Sequence, residues 1–161
     1  MRLRHAVRAI LLTPDNQVLL CRHLMPETPR RAVWAMPGGR IEAGETLLGA
    51  LRRELTEEVG FTLGSAARHV WHREVINPTY IKGYDGAIQD YFLVRTEMFT
   101  PRGTLTDLEL AAENITELRW WTVPEITAYR GDDLFGPGGL VTPLAALIAD
   151  GPPAQPIVLP A

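Results

Sequence analysis

Residues 39–61 of this chain, GRIEAGETLLGALRRELTEEVGF, constrain its folding more than any other stretch. Pro37, Gly38 and Gly39 interrupt regular structure just ahead of it, Gly44 permits a second reversal, and Thr46 is a good N-cap. Together they predict a helix from about Leu47 to Val59. Gly60 suits the left-handed position that ends a helix, because it has no Cβ to clash there. Leu47, Leu48, Leu51, Leu55 and Val59 recur at spacings of three and four, so one stripe faces a core. Glu54, Glu57 and Glu58 are related by the same spacings and project to one side of adjacent turns.

Carboxylates gathered this way suit a hard divalent cation. Magnesium takes oxygen ligands in octahedral geometry, keeps several waters and is usually held by a few carboxylates plus phosphate oxygens, so a diphosphate would complete its shell. The same glutamates also read as a solvated acidic face, since exposed like-charge pairs on a helix cost only about 0.2–0.5 kcal/mol each.

The wider pattern bears on that choice. Gly39, five residues, Glu45, seven residues, Arg53-Glu54-Leu55, one residue, Glu57-Glu58, one residue and Gly60-Phe61 resemble the signature box of the Nudix (MutT-like) hydrolases at every defined position. Trp34 before Pro37-Gly38-Gly39, and a late Trp120-Trp121 strand followed by a proline-started helix, are also similar to that family's layout. The resemblance implies the α/β Nudix fold, an α/β/α sandwich with a mixed sheet, and Mg2+ as cofactor with Mn2+ as its substitute. It implies Glu57 and Glu58 as metal ligands, Glu54 as a further ligand or as the base on the attacking water, and the Gly38 carbonyl as an added ligand. Arg53 and Glu45 would pair with each other or with the box carboxylates and orient them, with Gly39 opening the box. The reaction implied is hydrolysis of a diphosphate bond in a nucleoside diphosphate linked to another group: a nucleotide-sugar, ADP-ribose, a dinucleoside polyphosphate or a modified triphosphate.

At 161 residues, with 46% hydrophobic residues, the chain suits one small domain, taken as residues 1–150 with a Pro-rich tail at 151–161. A net charge of −3 argues against a nonspecific nucleic-acid binder. No stretch is long enough to cross a membrane, and the first residues read as a strand rather than a signal peptide. The lone Cys21 cannot form an intrachain disulfide and no Cys/His cluster suggests zinc, which points to the cytoplasm. His5, His23, His69 and His72 show no mutual ligand spacing and are given no catalytic role.

Strands are predicted over Ala6–Leu12 and Val18–Arg22, around a turn at Thr13–Asn16. A polar loop with two prolines follows from His23 to Arg31, a common place for specificity contacts. Further strands are predicted over Ala66–Ile76, Ala87–Thr96 and Leu118–Val123, with a short helix from Pro124 and a last one capped at Thr142-Pro143. Outside the box, the family's late glutamate falls in Thr106–Glu117, where Glu113 is preferred over Glu109. Arg22, at the second strand's end, is a candidate for holding a phosphate. Loop-borne Tyr80 is a candidate for stacking on a base, whereas Trp71 and Tyr91 suit the core.

Substrate subgroup marks do not settle the choice, for Pro78 and Tyr80 fall near but not on the ADP-ribose and dinucleoside polyphosphate spacings. The partner expected is a small nucleotide, and a homodimer is open, with Ile157-Val158-Leu159 as the segment that could cross. Two other classes compete. A non-catalytic nucleotide-sensing module of the same fold would usually show eroded glutamates. An isoprenoid diphosphate isomerase would need a catalytic cysteine in the specificity region and a degenerate box.

Overall fold

The computed structural model describes residues 1–26 and 28–161, with the backbone alone at 28–30. Its strands are β1 (Leu3–Leu12), β2 (Gln17–Met25), β3 (Thr28–Ala35), β4 (Gly38–Arg40), β5 (Ala67–Ile76), β6 (Gly86–Arg95), β7 (Ile115–Thr122), β8 (Leu134–Gly136) and β9 (Ile157–Leu159). The helices are α1 (Leu47–Glu58), α2 (Asp107–Ala112), α3 (Val123–Ala128) and α4 (Val141–Asp150).

The centre of the sheet is β1, whose near-continuous apolar run from Ala9 to Leu12 is buried on both faces. One mixed sheet runs β8-β3-β2-β1-β6-β5-β9, with β4 added to β1 and β7 to β2. Alternation along the strands divides the core in two. Val7, Ala9 and Leu11 of β1 join Leu19 and Cys21 of β2 beneath Ala50, Leu51, Leu55 and Val59 of the long helix segment. Ile10, Leu12, Val18 and Leu20 point the other way, onto Ile126 of α3 and Leu144 and Leu147 of α4. A mixed sheet between helices is the α/β/α sandwich expected.

The ends of α1 follow from local chemistry. The Thr46 side chain accepts from the Gly49 amide at 3.0 Å, and Gly60, at φ 75°, takes the left-handed turn while its amide donates to Leu55 O at 2.9 Å. Leu48 departs from the predicted stripe and is 38% exposed, whereas Glu58, three residues past Leu55 and so on the stripe itself, is buried at 4% exposure.

The polar loop expected at His23–Arg31 is replaced by a hairpin. β2 continues to Met25 and pairs antiparallel with β3, Arg22 facing Trp34 and His23 facing Val33. Two prolines obscured it, since proline donates nothing to a ladder and sequence patterning demotes such runs; residue 27 lies outside the described residues. The acidic stretch after Thr106 contains α2, announced by a capping box in which Thr106 and Glu109 satisfy each other's backbone amides. α4 begins earlier than predicted: its N-cap is Leu140, and Thr142 and Pro143 lie inside its first turn.

The Pro-rich end, expected as an arm, carries β9, which pairs parallel with β5 through Trp71↔Ile157 and buries Leu159 in the core. The Ile157–Leu159 segment thus lies against its own chain, at a sheet edge where flanking prolines lose no ladder bond. No helix among the described residues is long and apolar enough to cross a membrane.

Candidate active site

β1 and β2 are paired at Leu12↔Val18, and farther along β1 the short β4 takes the place beside Ala6–Arg8. A cleft of about 430 Å³ opens between the diverging strands, floored by Gly38 and Gly39 and bordered by α1. Glu54, Glu57 and Glu58 line it from the helix, and Glu113, the residue that caps α2 at its C-terminal end, lines it as well. Glu109 is occupied elsewhere, its carboxylate accepting from the Thr106 amide at 3.0 Å.

Arg53 holds the carboxylates by a planar fork. Its Nε and Nη2 donate to the two oxygens of Glu45, both at 2.8 Å, while Nη1 donates to Glu54 at 2.9 Å. Nη2 also reaches the Arg40 carbonyl at 3.1 Å, and Glu57 lies 3.7 Å from Nη1. Hydrogen bonding to Arg53, then to the Glu42 amide, holds the Glu45 carboxyl well below the usual carboxylate range. Arg53→Ala is therefore expected to lower kcat by about 10–100-fold through lost orientation of Glu54 and Glu57. Steady-state kinetics beside a melting curve check this: a fall in melting temperature with kcat intact would make Arg53 structural only.

Charge is unbalanced on the helix side. Glu58 is buried and accepts from the Gly38 amide at 3.1 Å. Burial first, then the charge of Glu54, raise its pKa well above the ordinary value against the opposing pull of Arg8. Glu57 is also raised, by burial and then by Glu54, with Arg53 opposing. Two acids strained in the same direction, around a backbone glycine, are the donor set a hard divalent cation relieves. Glu54, Glu57, Glu58 and Gly38, which all line the cleft, are the residues that would hold such an ion.

Cations share the same cleft. Arg4 and Arg8 from β1 and Arg40 from β4 line the cleft together with Tyr84 and His23. Arg8 donates to the Met36 carbonyl at 2.8 Å, and Arg40 to the Tyr84 hydroxyl at 3.2 Å. Burial, then Arg8, lower the Arg4 pKa, with Tyr84 and Glu54 opposing. Burial followed by Arg8 and Arg4 pushes His23 down to about 4, so its imidazole is neutral at pH 7, and its Nε2 is buried without a hydrogen-bond partner among the described residues. Arg4, Arg8, Arg40 and Tyr84 were not singled out in the sequence, and His23 was given no catalytic role. Only Arg4 and Arg8, polar breaks in an otherwise apolar strand, offered a signal.

Two predicted substrate contacts stand apart from this cleft. Arg22 is bound to Asp133 through Nε at 2.8 Å and Nη2 at 3.1 Å, and Asp133 also accepts from the Trp34 indole at 2.9 Å. Strand parity explains it: His23 turns to the cleft, so Arg22 turns away. Tyr80 accepts from Arg73 at 3.2 Å and, like Arg22, is not among the residues lining the cleft. Trp71 and Tyr91 are core residues, as expected. Folding also brings together histidines that have no ligand spacing in sequence. Cys21, His23 and Glu58 form one group with ligand atoms within 4.8 Å of one another, and His69, His72 and Asp90 form a second.

The chain is similar to several known proteins. Residues 2–138 match the model of the NUDIX domain. RNA pyrophosphohydrolase of Caulobacter vibrioides is 30% identical over 126 residues, which cover 73% of this chain and 69% of that protein. Human 8-oxo-dGDP phosphatase NUDT18 is 41% identical over 56 residues, 35% of this chain but only 17% of that longer protein. The NUDIX domain of Shewanella oneidensis NrtR, solved in complex with ADP ribose, superposes with a TM-score of 0.66 at 14% identity, covering 92% of this chain and 90% of that one.

Proposed function

Because the chain belongs to the NUDIX family, we propose that it is a magnesium-dependent pyrophosphohydrolase that cleaves a diphosphate bond in a nucleoside diphosphate linked to another group. One observation carries this reading: three glutamates of α1 with Gly38 share a single cleft with three arginines, Arg4, Arg8 and Arg40. Such a site binds a metal through the one set and phosphate oxygens through the other.

Mg2+ held by Glu54, Glu57, Glu58 and the Gly38 carbonyl would supply neutralisation of phosphate charge and a more acidic water. Arg4, Arg8 and Arg40 bind the anionic oxygens and stabilise the negative charge that grows on the leaving phosphate. Water attacks phosphorus through its oxygen, the bridging P–O bond breaks, and the electron pair leaves with the departing phosphate. The water's proton passes to a cleft carboxylate, Glu54 or Glu113. Arg53, anchored by Glu45, keeps Glu54 and Glu57 oriented throughout. The products are a nucleoside monophosphate and a phosphorylated remainder, or inorganic diphosphate from a triphosphate.

The test is Mg2+-dependent release of phosphate or nucleoside monophosphate from nucleotide-sugars, ADP-ribose, dinucleoside polyphosphates, oxidised and ordinary triphosphates and 5′-triphosphorylated RNA. Glu57→Gln is the control. A strong hit lost in the variant supports the proposal and fixes the substrate class. Saturable binding without turnover of any of them overturns it in favour of a sensing module.

A further inference from the structure

Away from the cleft, three histidines close on one buried carboxylate. Asp90 of β6, its side chain 5% exposed, has His69 Nε2 at 2.8 Å and His72 Nδ1 at 2.6 Å from Oδ1, and His5 Nε2 at 2.6 Å from Oδ2. All four histidines of the chain but His23 are thus spent on one aspartate.

The backbone is shaped for this arrangement. His69 and His72 are three apart, so on a regular strand they would point to opposite faces. A bulge in β5 between His69 and Trp71 shifts the register, so that Val70 and Trp71 both enter the same core cluster and both histidines meet Asp90. Asp90 pairs directly with His72 across the ladder and with Val7 of β1 on the other side, which brings His5, two residues earlier, alongside. The His69 ring is fixed by stacking on Phe92, with centroids 4.9 Å apart and planes 19° from parallel.

The outer contacts match what metal-ligating groups need. His72 presents Nδ1 inward while its Nε2 lies 3.1 Å from Glu74 Oε1, the carboxylate–histidine pairing that sets tautomer and ring orientation at metal centres. His5 occupies the carboxylate oxygen that His69 and His72 leave free, which holds Asp90 in place from behind. No lysine or arginine bonds the Asp90 side chain among the described residues.

We propose that His69 Nε2, His72 Nδ1 and Asp90 Oδ1 form a binding site for a divalent transition-metal ion of the zinc class, with His5 and Glu74 as positioning residues. Two imidazoles and a carboxylate suit zinc, nickel, cobalt or iron rather than magnesium. The three ligand atoms lie within 4.8 Å of one another. The edge of a tetrahedron with bonds of about 2.0–2.1 Å is about 3.3 Å, so the ion would enter as each imidazole backs off Asp90 by under about 1 Å. Both rings have solvent on their outer side, with side chains 31% and 29% exposed, which leaves room for that shift. Water would fill the remaining position.

The experiment is calorimetric titration of Zn2+ into the full chain in excess Mg2+, which keeps the cleft carboxylates occupied, with Co2+ absorption reporting coordination. One equivalent is expected to bind, to persist in Glu57→Gln, and to weaken at least about 100-fold in His72→Ala and in His69→Ala. His5→Ala and Glu74→Ala are expected to weaken it about 10–100-fold. Melting curves establish that each variant is folded; should His72→Ala fail to fold, His69→Gln serves, since its half-buried ring leaves the Asp90–His72 pair intact. Absence of saturable Zn2+ binding, or binding unchanged in the His69 and His72 variants, would overturn the proposal and leave the cluster a hydrogen-bonded network around Asp90. Hydrolysis in the cleft can succeed or fail independently of this result.

Discussion

Glu58→Gln is expected to melt higher than the wild type when metal-free, and to lose about 10²–10³-fold in kcat, the scale seen when one preorganised electrostatic contact is removed from a reacting charge. The two effects share a cause. Glu58 is buried, and burial together with the Glu54 charge holds its pKa above the ordinary carboxyl value. A group raised in the folded state contributes stability that is fully present below its unfolded pKa, and that contribution is lost as pH rises through the folded value. Metal-free wild type should therefore weaken as pH climbs above the ordinary carboxyl value toward the raised folded one, whereas the glutamine variant, uncharged throughout and able to accept from the Gly38 amide, should lack that leg of the profile. Mg2+ should reverse the order: it binds the folded wild type and raises its melting temperature by mass action, most at higher pH where Glu58 is ionised, and leaves the variant nearly unmoved. Calorimetric melting across pH, with and without Mg2+, reads all of this. If the metal-free variant is no more stable than wild type at high pH, or if its kcat stays within threefold, Glu58 is not a strained metal ligand.

How far the sequence foretold this molecule depends on whether each signal was local. The N-cap of Thr46, the apolar stripe and Gly60 all lie within one helix's length, and α1 formed where they predict. The box glutamates likewise came together because a helix places residues three and four apart on one side. β3 and β9 were missed because they are strands by virtue of partners far along the chain, and a proline within β3 and prolines flanking β9 argue against them. α2 was legible in principle, since Thr106 and Glu109 have capping-box spacing, but six residues carry too little periodicity to be read. Arg22 and His23 show the limit most plainly. Adjacent residues of one strand point oppositely, and only the strand's register decides which of them reaches the cleft. The His69–His72–Asp90 group needed more still, because a bulge alone brings residues at that spacing to one face.

Gly38→Ala should be the most damaging single-methyl change in the site, lowering stability by about 3–5 kcal/mol and, at this chain length, the melting temperature by roughly 10 °C. A Cβ at this position would sit 2.0 Å from the Val7 carbonyl oxygen and 2.7 Å from Arg8 Cα, and the backbone there has φ 146°, open to glycine and closed to alanine without strain. Relief would require β4 to lift from β1, breaking the Arg8↔Gly38 pairing and the Ala9 amide's 2.9 Å bond to the Pro37 carbonyl. The site would move with it, because the same residue donates to Glu58 and offers the carbonyl proposed as a metal ligand. Gly39→Ala separates the two roles. Its Cβ would meet Glu54 Oε1 at 2.6 Å, and a carboxylate at the end of a side chain can swing aside where a strand cannot. That variant should keep most of its stability and lose turnover, since Glu54 would be pushed off its 2.9 Å bond to Arg53. Denaturation and kcat measured on both variants decide the matter: if Gly39→Ala costs as much stability as Gly38→Ala, the floor of the cleft is one rigid unit and Glu54 has no freedom to yield.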